Sequence, residues 1–253
     1  MAAESHSRHI TFESVRNFRD LGGYQTQDGY SVVWRHLFRS GDLRRISRSD
    51  LTRLREEIGL TSVIDLRSSI EAKEQGIEIL SEVGIRYHSV PFITRSGDSN
   101  REREMFQEFS NMGEVYLSLA RDKEFNRRVI EALEIIAEPE NHPLVFHCFV
   151  GKDRTGILAA IVLSILGVAD ADIIEDYTLT APYMEELLKS MNNNPEIAEG
   201  VKHLPGYFWK AAPESMALFL STLQREYGSV RGYVEAQGAE ASLPRRLKRS
   251  LLT

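Results

Sequence analysis

Only one cysteine, Cys148, occurs in the 253 residues, so no disulfide can form within the chain and no Cys-x-x-Cys metal site exists. Basic residues do not dominate. The 31 Lys and Arg against 37 Asp and Glu give a net charge of −6, which argues against a general nucleic-acid binder. Long apolar runs are missing too. The longest, Ile157–Val168, is interrupted by Ser164 and Gly167 and is too short to span a bilayer. The opening MAAESHSRH has no apolar core of the kind a signal peptide needs, so a cytoplasmic location without stable membrane insertion is expected. There are no internal repeats and no low-complexity tracts. What remains is a chain with 42% apolar residues, enough for a core in one domain spanning 1–253.

Apolar runs of strand length alternate with helical patterns along that chain. Residues 1–16 read as a tail leading into the turn-rich Asn17–Tyr24. Asp28-Gly29 signals a hairpin flanked by Val32–Trp34 and Leu37–Phe38. Ser49 or Asp50 is placed to cap a helix over Leu51–Ile58, which Gly59 ends. Ser62–Leu66 reads as a buried strand and Ile85–Val90 as an alternating one, with His88 on a strand face. Gly113–Ala120 and Phe125–Ala137 are helical, the latter presenting Val129, Leu133 and Ile136 on one face. Leu144–Phe146 is a further strand. Asp170 suits an N-cap for a helix to Leu179, and helices follow over Pro213–Glu226, Val230–Gln237 and Pro244–Leu252. The stretch 181–210 reads as a helical excursion, either a lid over the site or ordinary packing at the domain edge. Arg245, Arg246, Lys248 and Arg249 read as a solvated helix face. The alternation predicts an α/β fold with helices on both sides of a mostly parallel sheet.

One stretch, Leu144–Gly156 (LVFHCFVGKDRTG), carries chemistry. A short strand enters a tight loop, and a long apolar helix leaves it. Backbone N–H groups in such a loop converge at the positive end of the helix dipole and form an anion site. Cys148 opens the loop and Arg154 closes it, in the spacing Cys-x5-Arg. A thiol at a helix N-terminus beside a guanidinium favours the thiolate, the reactive form of cysteine. The pattern points to attack on a phosphate ester through a phosphocysteine intermediate. The N–H groups from Phe149 through Val150, Gly151, Lys152 and Asp153 to Arg154 would hold the phosphate oxygens, with Arg154 supplying a planar fork. Gly151 permits the tight turn. Lys152 adds a second cation to the rim. His147 is expected to fix the loop by hydrogen bonding, and Thr155 to offer its hydroxyl to the sulfur. Asp65 and Arg67, at the carboxyl end of a second strand, are expected beside the loop. An Arg67–Glu71 ion pair that merely fixes the loop explains their presence equally well.

HCFVGKDRTG resembles the signature loop of the cysteine-dependent phosphatases of the protein-tyrosine-phosphatase superfamily. Its GKDRTG form is similar to the atypical tyrosine/serine and phosphoinositide phosphatases of bacteria and fungi. NFRDLGGY (Asn17–Tyr24), IDLRSSIE (Ile64–Glu71) and YGSVRGYVEAQG resemble further motifs of that branch. The resemblance implies a protein-tyrosine-phosphatase-like sheet flanked by helices, no cofactor or metal, and a phosphorylated protein or phosphoinositide as substrate. It implies a basic residue at Lys152 suited to highly charged substrates. Many tyrosine phosphatases carry their general acid on a Trp-Pro-Asp loop, and no such tripeptide occurs here. The branch suggests Asp153 instead, with Asp65 and Asp42 as alternatives. A non-catalytic phosphate-binding module and a rhodanese-like sulfurtransferase are the competing readings.

Overall fold

The strand-length apolar runs form a five-stranded sheet in the computed structural model of the chain, which describes residues 7–44, 46–73, 78–93, 106–192 and 204–253. The strands are β1 (Arg19–Asp20), β2 (Leu37–Ser40), β3 (Ser62–Asp65), β4 (Arg86–Ser89) and β5 (Leu144–His147). Their order across the sheet is β1-β2-β5-β3-β4. β1 is antiparallel to β2, and the other pairings are parallel. The register sets Ser40, Asp65 and His147 level at one edge, so the segments after β2, β3 and β5 leave the sheet side by side. That edge, beyond the carboxyl ends of parallel strands, is where such sheets bind ligands.

Helices cover the sheet. They are α1 (Arg48–Glu56), α2 (Ser69–Lys73), α3 (Glu78–Glu82), α4 (Met112–Ala120), α5 (Lys123–Ala137), α6 (Asp153–Leu166), α7 (Asp170–Thr178), α8 (Ala181–Asn192), α9 (Pro213–Tyr227), α10 (Val230–Ala236) and α11 (Leu243–Leu251). Because side chains alternate across a strand, Val145, Val63 and Phe38 face one way, against Phe12, Phe18, Leu51 and Leu54. Leu144, Phe146, Ile64 and Leu37 face the other way, into the larger core around α6. From Thr155 to Leu163 every residue of α6 is buried, as expected of a helix that is apolar on all sides. It packs against β2, β5, α7, α10 and α11. No described helix is long and apolar enough to cross a membrane.

Several local expectations change. Only part of the segment read as a tail is described, and in it Phe12 and Val15 are buried. Val32–Trp34 forms no regular strand, and Val32 makes a single bridge to Leu252. The cap of α1 is Ser47, whose side chain accepts from the Asp50 N–H. Asp50 is not a cap because its carboxylate is taken by the N–H groups of Glu13 and Ser14. Ala169 precedes α7 without a side-chain cap. The basic α11 buries Leu243, Leu247 and Leu251, while Arg246 pairs with Glu134 of α5 and with Glu138 just beyond its end. Residues 193–203 of the 181–210 excursion lie outside the described residues.

Candidate active site

The loop between β5 and α6 is shaped by where its carbonyl groups go. Phe149 O accepts the Asp42 N–H at 3.0 Å. Val150 O accepts Asn17 Nδ2 at 3.0 Å, and Gly151 O accepts Arg39 Nη2 at 2.8 Å and Asn17 Nδ2 at 3.2 Å. With three successive carbonyls turned outward and satisfied, the intervening N–H groups face the opposite side, at the N-terminus of the 14-residue α6. Gly151 has φ +77°, and a Cβ there would lie 2.5 Å from Ser40 O, so both conformation and space demand glycine. Cys148 lies at the start of this loop with 3% of its surface exposed.

Arg154, in the first turn of α6, makes a two-pronged pair with Glu71, at 2.7 Å from Nη1 and 2.9 Å from Nη2. Burial opposes charge on Arg154, but the Glu71 hydrogen bonds and then the neighbouring Cys148 sulfur hold it above its ordinary range. Burial likewise opposes charge on Glu71, yet Arg154 brings it down to about 2. Glu71 also accepts the Ser68 N–H at 2.9 Å, while Ser68 Oγ accepts the Glu71 N–H at 3.2 Å. This reciprocal capping turns Glu71 toward the loop. The expected Arg67–Glu71 pair is therefore absent. Arg67 instead clamps Asp65 and reaches Asp42 at 2.9 Å, because Asp65 accepts the Arg67 N–H and folds the chain back on itself.

Asp65 and Arg67 lie below the loop. Burial alone would raise the Asp65 carboxyl. The His147 ring when it is charged, and the Arg67 fork at every pH, outweigh it and hold Asp65 well below the usual carboxylate range. Burial pushes His147 down, so its ring is neutral near pH 7 and the Arg67 fork is the lasting partner. His147 Nδ1 is 3.2 Å from the Cys148 carbonyl oxygen. Thr155 Oγ1 is buried without a hydrogen-bond partner, so the expected bond to sulfur is not made.

Lys152 departs most from expectation. It is 1% exposed and not on the rim. Its Nζ donates to the Phe208 carbonyl, lies 3.5 Å from Lys210 O and is 3.4 Å from Asp153 Oδ1. Asp153 itself keeps 29% side-chain exposure, and its Oδ1 accepts the Tyr116 hydroxyl at 2.6 Å.

Residues outside the loop, Asn17 and Arg19 of the turn-rich Asn17–Tyr24 among them, hold it from behind, and of these the sequence reading passed over Arg39 and Asp176. Asn17, in the left-handed region at φ 58°, and Arg39 carry its carbonyls. Arg39 and Arg19 share the Asp176 carboxylate, Arg19 Nε at 2.9 Å. All three are buried. Burial, and then the charge of Arg19, push Arg39 down to about 10. Burial would raise Asp176, but the two guanidiniums hold it well below the usual range. Signals existed: an arginine inside the buried strand LFRS, and an acid on the apolar face of α7 three residues after Ile173.

Asp176→Asn is expected to cost about 3–5 kcal/mol, because it leaves two buried guanidiniums without a counter-charge. A group whose folded pKa is depressed stabilises above its unfolded pKa of about 3.9 and loses that contribution as pH falls through the acid range. Urea titrations should therefore show a large gap between parent and variant at pH 7 that narrows below about pH 4. A gap that is small, or constant with pH, would count against the triad as a structural anchor.

Outside the loop runs a groove of about 370 Å³, lined in part by Arg16, Asp42, Arg44, Phe149, Tyr183 and Glu186. Phe149 is 40% exposed, and the Arg44 guanidinium sits 5.1 Å from its ring. Arg44 pairs with Asp42, and Arg16 with Glu186 at 3.5 Å.

Comparison with known proteins shows which family the chain resembles. A tyrosine-protein phosphatase-type protein of Cupriavidus necator is 33% identical over 181 residues, covering 70% of this chain and 64% of that protein. This chain thus matches a little under two thirds of that relative's length. The triple specificity protein phosphatase PtpB of Mycobacterium tuberculosis is 26% identical over 273 residues, covering 93% of this chain and 96% of its own. The core catalytic domain of the PP-IP phosphatase SIW14 from S. cerevisiae superposes with a TM-score of 0.40 at 23% identity, over 70% of this chain and 94% of that one. The tyrosine phosphatase family matches residues 10–253, nearly the whole sequence. With a match of that extent, this chain belongs to the tyrosine phosphatase family, a class of cysteine-dependent phosphatases.

Proposed function

We propose that this protein hydrolyses phosphate monoesters on phosphotyrosine and phosphoserine/threonine of protein substrates. In this reading Cys148 Sγ attacks phosphorus while the ester oxygen leaves and takes a proton from Asp153. Water then attacks the phosphocysteine, Asp153 takes its proton, and the sulfur leaves as thiolate. The N–H groups of Phe149, Val150, Gly151, Lys152, Asp153 and Arg154 bind the nonbridging oxygens, where charge builds in both steps. Glu71 occupies one N–H on each terminal nitrogen of Arg154, leaving its Nε–H and the remaining Nη–H groups for phosphate. His147, bonded to the Cys148 carbonyl, and the Asp65–Arg67 pair, which reaches Asp42, support the loop from beneath. The single observation that carries the reading is the outward turn of three satisfied carbonyls around the cysteine.

Charge favours a protein over a phosphoinositide. A ligand bearing several phosphates needs unpaired cations around the loop, yet Lys152 is buried and Arg16 and Arg44 are matched by Glu186 and Asp42. A groove with two compensated ion pairs and the exposed Phe149 ring suits the polypeptide flanking one phosphorylated residue. The name of PtpB, a triple specificity protein phosphatase, supports protein substrates as well. Phosphate release from a panel of phosphopeptides and short-chain phosphoinositides tests this. Phosphotyrosyl peptides are expected to lead the phosphoinositides by about tenfold or more in kcat/KM, roughly 1.4 kcal/mol. The opposite order would assign the enzyme to lipid or inositol phosphates.

A further inference from the structure

Behind Asp153 lies a hydrogen-bond chain that the chemistry so far leaves unused. Tyr116 on α4 and Tyr177 on α7 are both almost fully buried, and their hydroxyl oxygens are 2.7 Å apart. Tyr116 lies 2.6 Å from Asp153 Oδ1. The rings meet edge to face at 6.2 Å, and Phe219 packs on the other side of Tyr116 at the same distance. Space for the pair is made in α6 itself. A Cβ at Gly156 would lie 3.0 Å from the Tyr177 ring.

The direction of the chain follows from donor counting. Tyr116 has one hydroxyl proton, and the carboxylate oxygen can only accept it. Tyr116 thus donates to Asp153, and Tyr177 donates to Tyr116. Burial, with Asp153 close by, holds the Tyr116 hydroxyl far above its ordinary range, so it stays a donor. Lys152 Nζ lies 3.4 Å from the same Oδ1. On the protein side Oδ1 is therefore fully engaged, and a proton on Asp153 must sit on Oδ2.

We propose that Tyr116, backed by Tyr177, is a positioning residue for acid catalysis, fixing the Asp153 carboxyl so that Oδ2 carries the proton delivered to the leaving oxygen. This rests on Asp153 being the acid. In the first step the proton passes from Oδ2 to the ester oxygen as the P–O bond breaks. In the second, Oδ2 takes a proton from the attacking water as the P–S bond breaks. Oδ1 keeps its bond to Tyr116 throughout, so the carboxyl does not rotate between steps. Proton delivery matters for a poor leaving group such as an alkoxide and little for para-nitrophenolate, which leaves unaided.

The test compares para-nitrophenyl phosphate with phosphoserine peptide for Tyr116→Phe, Tyr177→Phe and Asp153→Asn. Asp153→Asn should lose about 10²-fold or more in kcat on the phosphoserine peptide and far less on para-nitrophenyl phosphate. Tyr116→Phe should lose roughly 10- to 100-fold in kcat on the peptide, less than about threefold on para-nitrophenyl phosphate, and keep its KM. Tyr177→Phe should shift the same ratio in the same direction, by less. If Asp153→Asn shows no leaving-group selectivity, the acid assignment fails and takes the proposal with it. If Asp153→Asn is selective but Tyr116→Phe matches the parent, or loses both activities equally, the positioning role alone is refuted. Should Tyr116→Phe not fold, judged by thermal melting, Tyr177→Phe decides by the same ratio.

Discussion

Cys148→Ser is expected to lose turnover by roughly 10⁶-fold, the scale of removing a covalent nucleophile from a hydrolase, while still binding substrate. Sulfur attacks as a thiolate; a serine hydroxyl must shed its proton as it attacks. Everything that receives the phosphate stays in place. The outward bonds of Phe149, Val150 and Gly151 involve no atom of the Cys148 side chain, and Arg154 remains gripped by Glu71. Steady-state phosphate release should fall to background, while calorimetry with a phosphotyrosyl peptide should return a dissociation constant within a few-fold of the parent's KM. Rapid quenching of the parent into alkaline denaturant should trap up to one phosphate per chain on sulfur, in a linkage that survives base and is lost in mild acid, at Cys148, the only cysteine present. A serine variant with activity within about tenfold of the parent would remove the covalent mechanism.

Arg154→Lys is expected to fail although it conserves charge. The guanidinium has two tasks at once. Its terminal nitrogens hold Glu71 at 2.7 and 2.9 Å, and in the proposed mechanism its remaining donors take the phosphate. A lysine ammonium is one nitrogen on a flexible stem and cannot span both partners. The loss should be about 2–3 kcal/mol, on the order of 10²-fold in kcat/KM, with KM and kcat both affected. Glu71 then keeps its bonds to Ser68 but loses the fork that holds its carboxylate down to about 2. Unchanged kinetics in this variant would place Arg154 outside the reaction.

The loop was legible in the sequence because its pattern is local: five residues separate a thiol from a guanidinium, with a glycine among them. The strands were legible because apolar runs of fixed length have few alternatives. Partner choice was not. Glu71 stands four residues from Arg67 and 83 from Arg154, yet the capping turn at Ser68 aims it at the distant one. Lys152 reads as a rim cation from its neighbours, and only the arrival of Phe208 and Lys210 shows that its amine is covered. Asp50 looks like a cap in isolation and is diverted by the chain at Glu13 and Ser14. In each case local chemistry allows several pairings, and the three-dimensional convergence of remote segments chooses among them.

The outward carbonyls also bear on how the enzyme is made. Asn17, Arg39 and Asp42 leave the ribosome more than a hundred residues ahead of the loop, and Asp176, which neutralises Arg39 behind Gly151, leaves after it. Domain folding generally waits for such long-range closures, which come slowly because the entropy of closing large loops must be met first. A nascent chain that has released Cys148 but not α7 therefore carries a cysteine with an incomplete cradle. Phosphatase activity is therefore expected only once the fold is complete, and for the same reason the stretch Leu144–Gly156 transplanted alone into another scaffold is expected to be inactive.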